Sequence, residues 1–151
     1  ANPYPLMTFG AGMAMGAIIA NNCNWYGGGW TGGTKNEARA QSIATDLVNS
    51  GYVVLSVDYR LGNGAWPTNL FDCKNAVRFL RANAARHSVD PARIAVAGGS
   101  AGGHLALMVA LTAGAEGLEP GGADTPYPGV SSAVRCAVNM YGITNIIRAV
   151  T

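Results

Sequence analysis

The stretch Ile94-Ala95-Val96-Ala97-Gly98-Gly99-Ser100-Ala101-Gly102-Gly103-His104-Leu105 holds two patterns joined by one turn. Ile94–Ala97 is a short apolar run of the kind that forms a buried strand. From Ala101 onward, Leu105, Met108 and Leu111 recur at helical spacing. Between them a serine stands at the tip of a glycine-flanked turn. Strand, sharp turn and helix in that order are the layout of a nucleophile elbow. The serine there is strained, and the glycines leave room for strand and helix to cross closely. Ser100 is thus the candidate nucleophile. The N–H of Ala101, at the start of the helix, is a candidate donor to a developing oxyanion.

Outward from the elbow, strand and helix patterns alternate. Ala17–Ala20 is an apolar run that fits a buried strand, and a glycine-rich loop follows from Asn21 to Lys35. Ala40, Ile43, Ala44, Leu47 and Val48 share one face of a helix over Asn36–Ser50, with Gly51 where a C-terminal glycine stop belongs. Tyr52–Val57 is a β-branched run, hence a strand covered on both faces. Leu70, Cys73, Val77, Leu80 and Ala84 mark a second helix that ends before Asp90-Pro91. After the elbow helix come a Gly/Pro loop, Ala113 to Ser132, and a strand over Ala133–Tyr141. Strands separated by helices predict a mostly parallel sheet with right-handed crossovers, an α/β fold. No repeat or linker divides the 151 residues, which read as one partial domain, truncated at its C-terminal side.

Bulk properties narrow the function classes. Apolar residues make up 49% of the chain, which excludes a disordered protein. Charged residues are only 12%, about half the usual share, which fits elements buried on most sides. A net charge of +2 with no lysine/arginine cluster argues against nucleic acid as a partner. No apolar run is long enough for a membrane span, and the N-terminus has no basic leader, so the compartment stays open. Cys23, Cys73 and Cys136 lack metal-ligand spacing. Cys73 and Cys136 fall at core-facing positions and are expected to be buried free thiols. Nothing in the pattern calls for a metal or a cofactor.

Serine needs a base, an acid behind the base and donors for the oxyanion. Tyr26-Gly27-Gly28-Gly29-Trp30 follows the strand Ala17–Ala20, where glycines let backbone N–H groups face the site. With the elbow, this loop and several further motifs make the chain resemble the α/β-hydrolase superfamily. The closest likeness is to the branch of hormone-sensitive-lipase-like esterases and bacterial acetyl and feruloyl esterases. Those motifs are Val57-Asp58-Tyr59-Arg60-Leu61, Phe71-Asp72-Cys73-Lys74 with Ala76–Arg81, and Asp90-Pro91-Ala92-Arg93-Ile94 leading into the elbow. The resemblance implies a serine carboxylic-ester hydrolase acting on a small ester. In it Ser100 is the nucleophile, Gly28, Gly29 and Ala101 form the oxyanion hole, and Trp30 lines the substrate site. Ala101 rather than tyrosine after the serine favours an esterase over a prolyl-oligopeptidase-like peptidase, with an arylformamidase as the lesser alternative.

Two departures from that branch stand out. Tyr26 occupies the position where the branch has histidine before the triple glycine. The order serine, acid, histidine also places the acid and the base after Tyr141, in a further C-terminal segment or a second polypeptide. The rival reading is a catalytically incomplete scaffold that binds a ligand or a partner protein.

The remaining polar residues are expected to serve the scaffold. His104, one turn beyond Ser100, points into the packing beneath the elbow, and His87 lies at the surface. Asp58 and Arg60 pair within the scaffold, Asp72 caps the second helix, and Asp90 makes a turn. Asp124, with Glu116 and Glu119, sits in a loop placed where substrate would enter. Trp66 is read as packing.

Overall fold

The computed structural model describes residues 8–9, 14–20, 29–33 and 38–145. The strands are β1 (Thr8–Phe9), β2 (Ala14–Ala20), β3 (Tyr52–Val57), β4 (Val89–Gly99) and β5 (Cys136–Met140). The helices are α1 (Ala38–Asn49), α2 (Thr68–Ala82) and α3 (Ala101–Leu111). One sheet has the order β1-β3-β2-β4-β5. All neighbours run parallel except β1, which pairs antiparallel with β3 at its edge. This is the expected α/β sheet, with β1 as an addition that its short, glycine-flanked sequence does not announce.

The strand order places the site. From β2 the chain steps to β3 on one side, then crosses back over β2 to β4 and on to β5. At this reversal the connections leaving β2 and β4 diverge, opening a crevice at the carboxyl ends of the two strands. The elbow after β4 lies at that crevice.

The two sides of the sheet are covered unequally. α1 packs on β3, where Ala44 and Val54 are buried against Ile43, Leu47 and Val48. Gly51 follows α1 with φ +88°, the left-handed stop that its position predicts. α2 and α3 pack on the other side, where Val53, Leu55, Leu70, Val77, Leu80, Ile94, Val96, Leu105 and Val109 form the main core. Leu105 and Ala106 of α3 are wholly enclosed. Each buried leucine or isoleucine in that core contributes about 1.5–3 kcal/mol.

Several scaffold expectations change. Cys73 is buried, but Cys136 is exposed. α3 covers only the face of β5 that carries Ala137 and Asn139, and α1 packs on β3, so Cys136 and Val138 stand out from the opposite face. Asp72 is not a cap, because α2 begins at Thr68 and puts it in the second turn. Its carboxylate instead accepts from the Arg60 backbone N–H at 2.8 Å and from the guanidinium at 2.9 and 3.0 Å. Asp90 does make a turn, accepting from Ala92 N–H at 2.9 Å, inside a β4 that starts five residues earlier than its apolar run suggests. His87 is half-buried rather than at the surface, with its ring 5.8 Å from that of Phe79.

The loop between α3 and β5 also differs from expectation. α3 runs back to the amino-terminal edge of the sheet, and β5 starts there beside Ala95. The loop therefore begins and ends at the edge opposite Ser100. Four residues of α2 bind this loop. Lys74 donates to Thr112 O at 2.7 Å, Leu118 O at 2.6 Å and Glu119 Oε1 at 2.8 Å. Arg78 reaches Glu119, Thr125 and Pro120 O, Asn75 donates to Asp124 O, and Arg81 donates to Ser131 O and Ala133 O. The Lys74 ammonium is fully enclosed. Burial lowers its pKa, and the bond to Glu119 offsets part of that. Burial acts to raise the Glu119 pKa, but bonds from Lys74, Ser132 and Gly114 N–H outweigh it and hold the carboxyl below its ordinary range.

Candidate active site

β4 ends at Gly99, and the chain turns at once into α3. Ser100 takes up that turn with φ 51° and ψ −121°, a backbone region that residues with a side chain rarely occupy. Two bonds hold it there. Its N–H donates to Met140 O on β5 at 3.0 Å, and its carbonyl accepts from His104 N–H at 3.0 Å. The sharpness of the turn explains Gly98. A Cβ built on it would overlap the Gly102 carbonyl and come within 2.8 Å of Gly103 N, so only a bare backbone lets strand and helix cross here.

Ala101 is buried at the first position of α3. Its N–H has no acceptor within the helix and sits at the positive end of the helix dipole, beside the serine. Gly29 opens a short 3-10 turn, Gly29–Thr31, in the loop after β2. The carbonyl of Trp30 accepts from Gly62 N–H at 2.9 Å, which ties that loop to the one after β3. Gly28 and Tyr26 lie outside the described residues, as does Cys23.

His104 joins these parts. Its Nδ1 lies 2.8 Å from Ile143 O, so the proton sits on Nδ1 and is donated to that carbonyl. The edge of one ring meets the face of the other between His104 and Trp30, with centroids 5.5 Å apart at 88°. Such a pair contributes about 0.5–1.5 kcal/mol. His104 is thus a clasp between the loop after β2 and the loop after β5, and it is not directed at Ser100. Trp30 is half-buried against this clasp and the core.

The loop after β5 holds a residue that pattern reading passes over. Asn139 Oδ1 accepts from Gly142 N–H at 2.7 Å, closing a tight turn. Within that turn Tyr141 has φ 49°, and its side chain is exposed. Its hydroxyl oxygen lies 2.6 Å from where a Gly99 Cβ would stand.

The other polar groups lie elsewhere. Burial, with the charge of Asp72 beside it, pushes the Cys73 thiol far above its ordinary value, which rules it out as a nucleophile. Among the described residues no cluster of histidine, cysteine, aspartate or glutamate is suited to a metal ion, and no helix is long and apolar enough to cross a membrane.

Known proteins share this arrangement. The BD-FAE family model matches residues 21–151. The probable carboxylic ester hydrolase LipM of Mycobacterium tuberculosis is 32% identical over 123 residues, which cover 81% of this chain and 27% of LipM. The bifunctional GH43-CE of Bacteroides eggerthii superposes with a TM-score of 0.76 at 30% identity, over 91% of this chain and 20% of that one. The acetyl ester-xyloside bifunctional hydrolase of Caldicellulosiruptor lactoaceticus gives 0.67 at 27% identity, over 90% and 48%. The chain spans little more than a quarter of the curated relatives it matches, 27% of LipM and 28% of the esterase LipQ from the same organism. With the strand order and the elbow after β4 in place, the chain belongs to the BD-FAE family, in the esterase branch of the α/β-hydrolase fold.

Proposed function

We propose that this chain carries the nucleophile and oxyanion hole of a serine carboxylic-ester hydrolase. The backbone of Ser100 supports this most directly. A serine at φ 51° between a strand and a helix is strained, and its neighbours hold it there with two backbone bonds and a glycine contact. Such strain persists where the surroundings over-determine it, and it concentrates at functional sites.

The mechanism on this reading is acyl transfer through a serine ester. Ser100 Oγ attacks the ester carbonyl and loses its proton to a histidine base. The carbonyl oxygen becomes an oxyanion, which the N–H groups of Ala101, Gly28 and Gly29 stabilise. The alcohol departs, protonated by the same base. Water then releases the acid from the acyl-enzyme by the reverse sequence. Trp30 walls the site on the side of the β2 loop. His104 is committed to Ile143 O and Trp30, so on this reading the base and its acid come from outside these residues, in a further C-terminal segment or a second polypeptide. The structural neighbour named as an acetyl ester hydrolase favours small acyl esters as substrates.

The test is intact-mass spectrometry of the full-length protein treated with a fluorophosphonate probe. A single adduct that is lost in Ser100→Ala, together with hydrolysis of p-nitrophenyl acetate lost in the same variant, is the expected result. Absence of both from the folded wild type would refute the proposal and leave the scaffold reading.

A further inference from the structure

Two residues other than glycine stand side by side with positive φ at the carboxyl ends of neighbouring strands. Ser100 follows β4 and Tyr141 follows β5, with φ of 51° and 49°. The register pairs Gly98 with Asn139 and Gly99 with Met140, so Ser100 and Tyr141 emerge at the same level, joined by the bond from Ser100 N–H to Met140 O. A tyrosine forced into this region costs about 1–3 kcal/mol, and the fold has to impose it.

The imposing contacts are visible. Asn139 grips Gly142 through both ends of its amide, at 2.7 and 3.4 Å, with Tyr141 enclosed between them. Gly142 lies against the start of α3, where its Cβ would come within 2.6 Å of His104 N. Ile143 O is held by His104 Nδ1. The turn is therefore fastened to the helix that begins at the nucleophile.

The result is an aromatic side chain that reaches from the end of β5 across to the end of β4. The hydroxyl end of Tyr141 occupies the volume of a Gly99 side chain, one residue before Ser100, yet the residue is 57% exposed. The turn, held by Asn139, Gly142 and His104, fixes this large aromatic beside Ser100 at the cost of strain.

We propose that Tyr141 is a specificity-determining residue of the Ser100 site, a wall that limits the ester substituent lying on the β5 side of the nucleophile. This rests on the reading of Ser100 as an esterase nucleophile. The oxyanion donors approach from the β2 loop and from α3. One of the two remaining substituents of the attacked carbonyl, acyl or alkoxy, therefore lies towards β5 and meets the ring.

The experiment uses the full-length protein and two ester series, p-nitrophenyl esters of increasing acyl length and acetates of increasing alcohol size. Wild type is compared with Tyr141→Ala and Tyr141→Phe. Gly99→Ala is added because its methyl displaces the ring without removing it. The expected result is at least a tenfold rise in kcat/KM for the larger members relative to the smallest, in one series, for Tyr141→Ala. Gly99→Ala shifts the preference in the same direction, and Tyr141→Phe keeps the wild-type order. Fluorophosphonate labelling of Ser100 is measured on every variant. If the variants label normally and both series keep their wild-type ratios within twofold, the wall is refuted. If Tyr141→Ala does not fold, Gly99→Ala and Tyr141→Phe decide by the same ratios. Failure of the wild type itself to label refutes the nucleophile instead, so the two failures are distinguishable.

Discussion

Replacing Ser100 by glycine should give a more stable protein than replacing it by alanine. Both variants remove the hydroxyl, and neither loses a cap, because the Ser100 side chain makes no capping bond to α3. They differ in the backbone they tolerate. At φ 51° and ψ −121° alanine inherits the strain of the elbow, whereas glycine occupies the region freely. Relief of that strain is worth about 1–3 kcal/mol. Against it stands the greater freedom of glycine in the unfolded chain, about 0.4–1 kcal/mol. The balance favours Ser100→Gly over Ser100→Ala by about 1–2 kcal/mol. Urea unfolding and calorimetry of the two full-length variants under one buffer measure the difference. A Ser100→Gly variant no more stable than Ser100→Ala would refute the idea that the elbow stores strain. It would also remove the main structural support for Ser100 as a nucleophile.

Gly98→Ala places a methyl against the backbone of Gly102 and Gly103, which cannot swing aside as a side chain would. It should cost about 1–3 kcal/mol or more and sharply reduce fluorophosphonate labelling of Ser100, read by urea unfolding and intact mass. Glu119→Gln leaves the enclosed Lys74 ammonium without its counter-charge and should destabilise by about 3–5 kcal/mol. The double variant Lys74→Met/Glu119→Gln should lose less than the sum of the two single variants in the same measurement, although Thr112 O, Leu118 O and Arg78 lose a partner in it, and additive losses would show that the pair is not coupled. Because the Glu119 carboxyl is held below its ordinary value of 4.5, its contribution is complete above about pH 4.5 and is lost as pH falls below it. Unfolding free energy measured from about pH 6 down to about pH 3 should therefore fall less steeply in Glu119→Gln than in wild type, and parallel curves would contradict the assignment.

The difference between what the sequence foretells and what the structure adds lies in the range of the interactions. The elbow is legible because every requirement is local: the apolar run of β4, the glycines and the apolar periodicity of α3 all fall within about twenty residues. The order of strands and helices follows for the same reason, since each helix carries its own apolar stripe. The errors concern contacts across the chain. Asp72 reads as a cap only if α2 is taken to start there. The helix starts at Thr68, and the carboxylate belongs to Arg60, twelve residues upstream. Cys136 reads as a core residue because alternation marks two faces of a strand without saying which is covered. That depends on α3 lying on the Ala137 side. The Lys74-Glu119 bond spans 45 residues, and its local sign, cations at 74, 78 and 81 along one stripe of an otherwise charge-poor helix face, resembles an ordinary solvated face.

The case of Tyr141 lies between these. Nothing in its neighbours marks it as special until β4 and β5 are paired in register. Only then does a second strained residue emerge beside the first, with Asn139, Gly142 and His104 holding it in place. Local sequence can announce a candidate nucleophile because the elbow must be built from adjacent residues. The wall proposed for Tyr141 comes from a neighbouring strand, and its meaning depends on a register that only the fold supplies.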